Sequence, residues 1–389
     1  MDHARTPRQM NTDSSIDTLT SQTPEEVSRF PQWLLPAIIV GLASLAWARR
    51  FILDDAFISF RYARNLARGE GLVWNAGEWV EGYTNFAWTL WLSLAFHLDV
   101  DPVMFSQVSG LLAFIAGLVA TWFAARAVFD QPVPAFVAVL LLGMTPTFAA
   151  YATGGLETSL QAALLTTSVA IALSIWRAGS ATVSNAALLS VVLGLAVLTR
   201  MDSAAIGAWI GLGTLGFVIR RSSANTSSIR PVILALVVPF CLLIGGWLWW
   251  KSAVYGDLLP NTYYAKTGAE GSWSRGLNFL WIYIRSAALF PAILMVLPGV
   301  WFAWRERHVP ALIGWGALGS WITYVASVGG DFMEFRFLVA AMPLATLMLV
   351  WTLWSAIEYR SVRALVVAST LLGGLLHQTR FEGEDGVES

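Results

Sequence analysis

The strongest constraint in this sequence is a series of apolar runs, many of them long enough to cross a lipid bilayer, joined by short polar segments. A helix rises about 1.5 Å per residue and the hydrocarbon core is about 30 Å thick, so about 20 apolar residues suffice. Hydrophobic residues make up 56% of the 389 residues and charged residues only 13%, whereas soluble domains carry about 25% charged residues. The sequence therefore predicts an all-α polytopic membrane protein.

Hydropathy predicts about eleven transmembrane helices within one domain, residues 33–377. Their approximate bounds are 33–50, 104–126, 133–150, 156–177, 184–199, 203–219, 231–250, 286–304, 309–327, 336–357 and 362–377. Residues 1–32 are polar and are predicted to form a disordered cytoplasmic tail, and residues 378–389 form an acidic C-terminal tail. A small-residue motif at residues 46–48 resembles a signal cleavage site, but the apolar segment begins too late, so an uncleaved first span is favoured.

Basic residues in the short loops set the expected orientation. Arg220, Arg221 and Arg230 have no acidic residue between them, and further basic groups lie at residues 305–308 and 360–363. Because cytoplasmic loops are enriched in Lys and Arg, these loops are placed in the cytoplasm of a multi-pass cell-membrane (inner or plasma membrane) protein. The N-terminus is then cytoplasmic, and the extracytoplasmic segments are 51–103, 151–157, 251–285 and 329–336. The basic residues are scattered, which argues against nucleic-acid binding.

This orientation depends on residues 84–98, an apolar segment of about 15 residues. If this segment crossed the bilayer, every later loop would change sides and the basic groups would face outward. The segment is short, rich in Trp and Phe, and flanked by Glu81, Asp99 and Asp101, as expected of a helix that lies along the membrane surface. We therefore predict interfacial helices in the first extracytoplasmic loop, residues 51–103.

The first extracytoplasmic loop places Asp54 and Asp55 directly after the first predicted span and follows them with several arginines. Charge within a membrane costs several kcal/mol, so such a dense polar insertion marks either a surface loop or a functional site. The two aspartates could simply cap a helix that ends at Gly69. Arg61 and Arg64, which share a helical face, could simply bind lipid headgroups.

The predicted topology places five further polar clusters on the same extracytoplasmic face. They contain, in order, Glu81 with Tyr83 and Asn85; a glycine pair with Glu157; Arg200 with Asp202; Asn261 with Tyr263, Tyr264 and Lys266; and Asp331 with Arg336. Simple structural explanations exist here too: a local ion pair accounts for Arg200 and Asp202, and interfacial anchoring accounts for the tyrosines. The glycine pair could let a substrate approach the backbone. No His or Cys spacing indicates a metal site, and neither a P-loop nor a nucleophile elbow is present.

Acids and arginines on the extracytoplasmic side suggest sugar transfer from a lipid carrier. Nucleotide sugars are not generally available outside the cytoplasm, so the sugar would arrive on a lipid whose phosphate lies at the membrane interface. Because phosphate is a good leaving group, one carboxylate acting as general base on the acceptor hydroxyl suffices. Cationic side chains then stabilise the departing charge. The alternative is a transporter or flippase of lipid-linked sugars, which would use the same cavity without chemistry.

The first loop, DDAFISFRYARNLARGEGLVWNAGEWVEGYTN, resembles the signature loop of membrane glycosyltransferases of the GT-C superfold. It most resembles the branch that contains the actinobacterial terminal arabinofuranosyltransferases, and the blocks ATGGLET, LTRMD, YGDLLPNTYYAK and GGDFMEFRF agree in order. The resemblance implies a polyprenyl-phosphate sugar donor, an inverting transfer and an acidic pair at the catalytic centre. Members of that branch commonly carry an extracytoplasmic C-terminal domain, whereas this sequence ends soon after its last predicted span, which leaves acceptor recognition open.

These observations predict a GT-C-like integral-membrane glycosyltransferase that transfers a sugar, arabinofuranose being one candidate, to a cell-envelope glycan or glycolipid acceptor. Asp54 is the expected general base, and Asp55 is expected to orient it or to bind a divalent cation such as Mg²⁺ or Mn²⁺. The residues expected at the donor phosphate are Arg61, Arg64, Lys266 and Arg336. The residues expected at sugar or acceptor hydroxyls are Glu81, Tyr83, Asn85, Glu157, Asn261, Tyr263, Tyr264 and Asp331.

Overall fold

The computed structural model describes residues 30–221, 226–258, 260–261 and 272–377, and within these ranges the chain forms helices and turns without a β-strand. Most of the predicted N-terminal tail and the whole predicted C-terminal tail lie outside the described residues. In chain order the helices are α1 (Leu34–Ala48), α2 (Ala56–Ala67), α3 (Phe86–His97), α4 (Pro102–Val128), α5 (Pro132–Gly143), α6 (Pro146–Ala150), α7 (Thr158–Ala178), α8 (Val183–Thr199), α9 (Ala204–Arg221), α10 (Thr226–Tyr255), α11 (Ser272–Ser286), α12 (Phe290–Leu294), α13 (Val296–Arg305), α14 (Val309–Ser327), α15 (Arg336–Val339), α16 (Met342–Ser355) and α17 (Arg360–Leu376).

Five of these helices are long and apolar enough to cross a membrane. They are α4, α7, α9 with the 3₁₀ turn Met201–Ser203 before it, α10 and α14. Helix α11 followed by α12 and α13 gives a sixth candidate span, bent by 113° at the break, and α1, α5, α8 and α16 are shorter apolar helices. Over the described residues the prediction of an all-α protein with several apolar spans is confirmed, and the number of eleven stays a prediction.

Small residues allow the long helices to approach one another closely. Helix α4 packs along α7, and α8 packs along α10. A Cβ at Gly117 of α4 would lie 3.8 Å from Cα of Ala163 in α7, and a Cβ at Gly194 of α8 would lie 2.9 Å from the side chain of Leu243 in α10. Close helix packing in membranes commonly relies on such small residues, because dispersion contacts replace the hydrophobic effect there.

The segment predicted to lie along the membrane surface forms helix α3, which has 12 residues. At 1.5 Å per residue it is about 18 Å long, well short of the about 30 Å of a hydrocarbon core. Helix α3 packs against α2, and the buried Trp88 of α3 donates a hydrogen bond to the backbone oxygen of Gly155 at 3.1 Å. The two helices of the first loop are thus held against the helix bundle, and that α3 does not cross the membrane stays a prediction.

The segment predicted as a second long outer loop, residues 251–285, is helical at both ends. Helix α10 continues to Tyr255, and α11 begins at Ser272. Sequence reasoning missed α11 because its polar residues lower its hydropathy below that of a span, although one face is packed: Phe279 is buried, and Gly276 lies against the backbone of Ala326.

Candidate functional site

The acidic pair lies in the turn between α1 and α2. Asp54 is exposed, and its Oδ1 accepts the backbone N–H of Asp55 at 2.8 Å. Asp55 directly precedes α2 and makes no side-chain capping hydrogen bond. Its Oδ2 lies 4.0 Å from Nη1 of Arg336. Helix capping therefore does not account for Asp55, because its carboxylate faces a guanidinium group instead of the first amides of the helix.

The glycine pair before α7, Gly154 and Gly155, packs directly against this acidic turn. The N–H of Leu53 donates to the backbone oxygen of Gly154 at 3.1 Å. Gly155 has φ +84°, and a Cβ at this position would lie 2.3 Å from Cδ1 of Ile52 and 2.9 Å from Cβ of Ala56. In the structure, therefore, the close approach that these glycines allow is made by the first loop itself.

Arg336 lies at the start of α15, in the loop that carries Asp331. Its Nε is 2.6 Å from Oδ2 of Asp331, and its Nη2 is 3.4 Å from Oδ1. Both side chains are largely buried, with 11% and 1% of their surface exposed. The turn depends on glycine: Gly330 has φ +77°, and a Cβ there would lie 2.6 Å from the ring of Phe279. The structure thus pairs one predicted phosphate-binding residue with one predicted hydroxyl-binding residue.

Glu157 directly precedes α7 and is buried in a hydrogen-bonded network. Its Oε2 accepts from Nδ2 of Asn85 at 2.8 Å, and its Oε1 lies 2.8 Å from Nη1 of Arg200. Arg200 also pairs with Asp202 at 2.6 Å. The predicted local pair of Arg200 and Asp202 is confirmed, but sequence reasoning missed the second partner of Arg200, which comes from another helix.

Phe337 connects this network to Arg336. The guanidinium carbons of Arg200 and Arg336 each lie 5.3 Å from the centroid of the Phe337 ring. Such cation–π contacts contribute about 0.5–2 kcal/mol each, more when water is excluded. We call the resulting group the charged cluster; it consists of Asp55, Glu157, Arg200, Asp202, Asp331 and Arg336. It gathers residues from four separate segments at one end of the helix bundle.

A second group surrounds Glu81. Oε2 of Glu81 lies 2.7 Å from Nζ of Lys251, and these side chains are 5% and 0% exposed. Burial raises the pKa of Glu81, and the ammonium group of Lys251 opposes this shift. Nζ of Lys251 also lies 5.1 Å from the ring centroid of Trp247. Sequence reasoning did not single out Lys251, whose only signal was a charge at the polar end of an apolar run.

Two more of the predicted sugar-binding residues belong to this second group. The hydroxyl of Tyr83 is 3.2 Å from that of Tyr255, and its ring packs edge-on against Tyr62. The backbone N–H of Asn261 donates to the backbone oxygen of Glu81 at 3.1 Å. Glu81, Tyr83 and Asn261 therefore lie together, and their predicted role at the sugar stays a prediction.

The two predicted phosphate-binding arginines of α2 differ in their surroundings. Arg61 donates from Nε to the backbone oxygen of Trp74 at 2.8 Å and from Nη2 to Oδ1 of Asn75 at 2.7 Å. Its guanidinium group also lies over the Trp74 ring, so it holds the loop that follows α2. Nε of Arg64 is buried, and within the described part of the chain it has no hydrogen-bond partner. Buried donors are usually hydrogen-bonded in proteins, and a bound anion is one kind of partner that would satisfy Nε of Arg64.

Tyr263, Tyr264 and Lys266 lie outside the described residues, so their predicted roles stay predictions. Across the described ranges, no group of three or more His, Cys, Asp or Glu side chains could hold a metal ion. A divalent cation bound by Asp54 and Asp55 would therefore need water or substrate as its remaining ligands. The predicted cation stays a prediction.

Another buried pair connects the last helix to the loop of the charged cluster. Nε2 of His377 lies 3.2 Å from Oε1 of Glu334, with 3% and 8% of the side chains exposed. The backbone oxygen of Glu334 accepts from the hydroxyl of Tyr151 at 2.9 Å. Sequence reasoning missed this pair, because its two members belong to segments with no shared local pattern.

No protein-family model matches the sequence. Two curated relatives, both named terminal beta-(1->2)-arabinofuranosyltransferase, align with 81% of the chain. The protein from Mycobacterium tuberculosis is 28% identical, and the protein from Corynebacterium glutamicum is 26% identical. The chain spans about half the length of these relatives, 54% and 50% respectively.

Solved structures show which fold the helices form. ArnT from Cupriavidus metallidurans bound to undecaprenyl phosphate matches with a TM-score of 0.56 and 18% identity, over 84% of this chain and 61% of that one. The apo oligosaccharyltransferase of Archaeoglobus fulgidus matches with a TM-score of 0.57 and 11% identity, over 90% and 55%. Arabinosyltransferase EmbB from Mycobacterium smegmatis matches with 0.55 and 14%, over 91% and 32%. The chain therefore has the GT-C fold of membrane glycosyltransferases and resembles the terminal arabinofuranosyltransferases in sequence.

Proposed function

We propose that this chain is an integral-membrane glycosyltransferase that moves a sugar from a polyprenyl-phosphate donor to a cell-envelope glycan or glycolipid acceptor, with inversion. One observation carries the proposal. The exposed carboxylate of Asp54 adjoins a buried charged cluster in which Arg336 faces both Asp55 and Asp331. A base that substrate can reach thus lies next to a cation whose position is fixed by carboxylates.

Asp54 is suited to act as the general base. Its Oδ1 is held by the N–H of Asp55, which orients the carboxylate without burying it. In the proposed reaction Asp54 accepts the proton of the acceptor hydroxyl as the new bond between that oxygen and the anomeric carbon forms. The bond between the anomeric carbon and the phosphate oxygen breaks, and the electron pair leaves with the lipid phosphate. Attack from the face opposite the phosphate inverts the anomeric carbon.

Arg336 is the described cation that lies beside the acidic pair, and Arg64 of α2 is the second candidate for the phosphate. Arg336 is held by Asp331 before any donor binds, so it needs little reorganisation when negative charge develops on the leaving group. Arg64 offers a buried Nε without a partner among the described residues. Arg61 is already engaged by the loop after α2, so we assign it to shaping the site.

Several observations support the proposed donor class, sugar and orientation. The structural neighbour ArnT was solved with undecaprenyl phosphate, and the names of two relatives support arabinofuranose as the first sugar to test. The charged cluster draws its members from segments that the basic loops place on the extracytoplasmic side, which supports a multi-pass cell-membrane protein with a cytoplasmic N-terminus.

The proposal can be tested with purified protein in liposomes. We expect that decaprenyl-phosphate arabinofuranose and an arabinan oligosaccharide yield free decaprenyl phosphate and an extended oligosaccharide, both followed by mass spectrometry. Both products should depend on the protein and on the acceptor. The proposal would be overturned if no polyprenyl-phosphate sugar turned over while the protein moved these lipids between the two leaflets, which is the behaviour of a transporter.

A further inference from the structure

Lys251 and Glu81 form a buried ion pair that the proposed reaction does not use. Their charged atoms are 2.7 Å apart, and the side chains are 0% and 5% exposed. Leaving a charge buried without its partner is costly, so each side chain holds the other in place. In this arrangement Lys251 has no surface that a substrate could touch, and Glu81 has almost none.

The backbone after Glu81 leads directly to the charged cluster. Four residues on, Asn85 donates from Nδ2 to Oε2 of Glu157 at 2.8 Å and to Oγ of Ser59 at 3.0 Å. Ser59 lies in the first turn of α2, the helix that Asp55 precedes. Glu81 is therefore linked to the helix that Asp55 precedes by four residues of backbone and by the buried hydrogen bond of Asn85 to Ser59.

The same segment is also fastened to α2 and to the end of α10. The N–H of Gly82 donates to the Tyr62 hydroxyl at 2.8 Å, and that hydroxyl donates to the backbone oxygen of Val80 at 2.9 Å. The hydroxyl of Tyr255, at the end of α10, donates to the backbone oxygen of Leu72 at 2.7 Å. Residues 72–85 thus contact α2, the start of α7 and α10. The contact with α10 includes the ion pair of Glu81 with Lys251.

We propose that Lys251 is a positioning residue of the transferase: its ion pair with Glu81 fixes the first loop on α10 and thereby sets the acidic pair at the geometry needed for transfer. The inference rests on the proposed function. It assigns Glu81 to positioning in place of the sugar contact that the sequence predicts, and the test below separates these two roles.

The test compares Lys251→Met, Glu81→Gln and the double variant in the liposome assay. We expect kcat to fall about a hundredfold in either single variant with KM little changed, since an error of about 1 Å at a reacting centre costs that much. The double variant leaves no buried charge unpaired and should recover to within about tenfold of the wild type. The matched controls are Arg177→Met and Asp130→Asn, which break an ion pair that is 50% and 89% exposed and should leave kcat unchanged.

Two results would overturn the inference. Wild-type kcat in Lys251→Met would show that the ion pair does not position the site. A double variant as slow as Glu81→Gln, with amides of residues 81–85 exchanging at the wild-type rate, would show that Glu81 acts on the substrate itself.

Hydrogen–deuterium exchange of the same variants gives a readout that does not depend on turnover. Amides of residues 81–85 and of α2 should exchange faster in each single variant and return towards wild-type rates in the double variant. Unchanged exchange in both single variants would also contradict the inference. If the wild type itself showed no transfer, the proposed function would fail, whereas the exchange pattern would still report whether the ion pair holds the loop.

Discussion

Asn85 and Glu157 are 72 positions apart in the sequence, yet Nδ2 of Asn85 donates to Oε2 of Glu157 at 2.8 Å in the buried part of the protein. The other carboxylate oxygen of Glu157 is held by Arg200. Three segments that the basic loops place on one side of the membrane therefore meet at a single carboxylate. This meeting point connects the first loop to the helix bundle, and Asp55 of the same loop lies 4.0 Å from Arg336.

Arg200 should be important for stability. Arg200→Met leaves the buried carboxylates of Glu157 and Asp202 without their cation, and breaking a buried pair in this way costs about 3–5 kcal/mol. Unfolding of the detergent-solubilised protein, followed by tryptophan fluorescence, measures the loss. Arg177→Met is the matched control, because its partner Asp130 is exposed and exposed pairs contribute about 0–1 kcal/mol. Equal losses in the two variants would contradict the buried network.

Gly155 should tolerate no side chain, for two separable reasons. Its φ of +84° strains any L-residue, and a Cβ would press on Ile52 and on the start of α2 at Ala56. Gly77 has nearly the same φ, +83°, with no atom within 4 Å of its Cβ position. Gly77→Ala should therefore lower the free energy of unfolding only by the backbone strain of about 1–2 kcal/mol. Gly155→Ala should lower it further and should also lower kcat. Thermal unfolding and initial rates measure both effects, and identical behaviour of the two variants would refute the contact.

Arg336 should matter for its shape as well as its charge. Arg336→Lys keeps a positive charge but loses the planar group that reaches both Asp331 and Asp55. We expect kcat/KM for the lipid donor to fall by about 10²–10³, the loss typical when a fixed transition-state donor is removed. Steady-state rates at varied donor concentration measure the effect. Arg305→Lys, at a 62% exposed side chain, should behave as the wild type; an equal loss there would point to a general effect of arginine.

Local pattern predicted those parts of the molecule that depend on neighbouring residues. Helix α2 begins after Asp55 and ends before Gly69, as the acidic start and the terminal glycine suggest, and Gly69 indeed has φ +79°. Helix α3 was predictable because its length and aromatic content are properties of one short window. The shared location of the polar loops followed from counting spans, since helices of similar length bring alternate loops to the same end.

The pairings within the site could not be predicted, because they depend on how distant segments pack. Nothing local to Lys251 indicates that its partner is Glu81 in the first loop. The nearby Asp202 is sufficient to explain the charge of Arg200, so nothing in the sequence indicated its second contact, with Glu157. The buried contact of Glu334 with His377 likewise depends on where the last helix ends. Hydropathy and residue spacing report on windows of about 20 residues, whereas these contacts join segments much further apart.

The most direct test of the account is the release of polyprenyl phosphate by Asp54→Asn protein in liposomes with donor and acceptor. Asparagine has nearly the same shape but cannot accept the proton of the acceptor hydroxyl, so we predict release at the background level while exchange protection and thermal stability match the wild type. The control is Asp99→Asn, an exposed residue of the same loop with φ +52°, a conformation that asparagine adopts readily; it should retain wild-type release. Wild-type release by Asp54→Asn would contradict the assignment of Asp54 as the base.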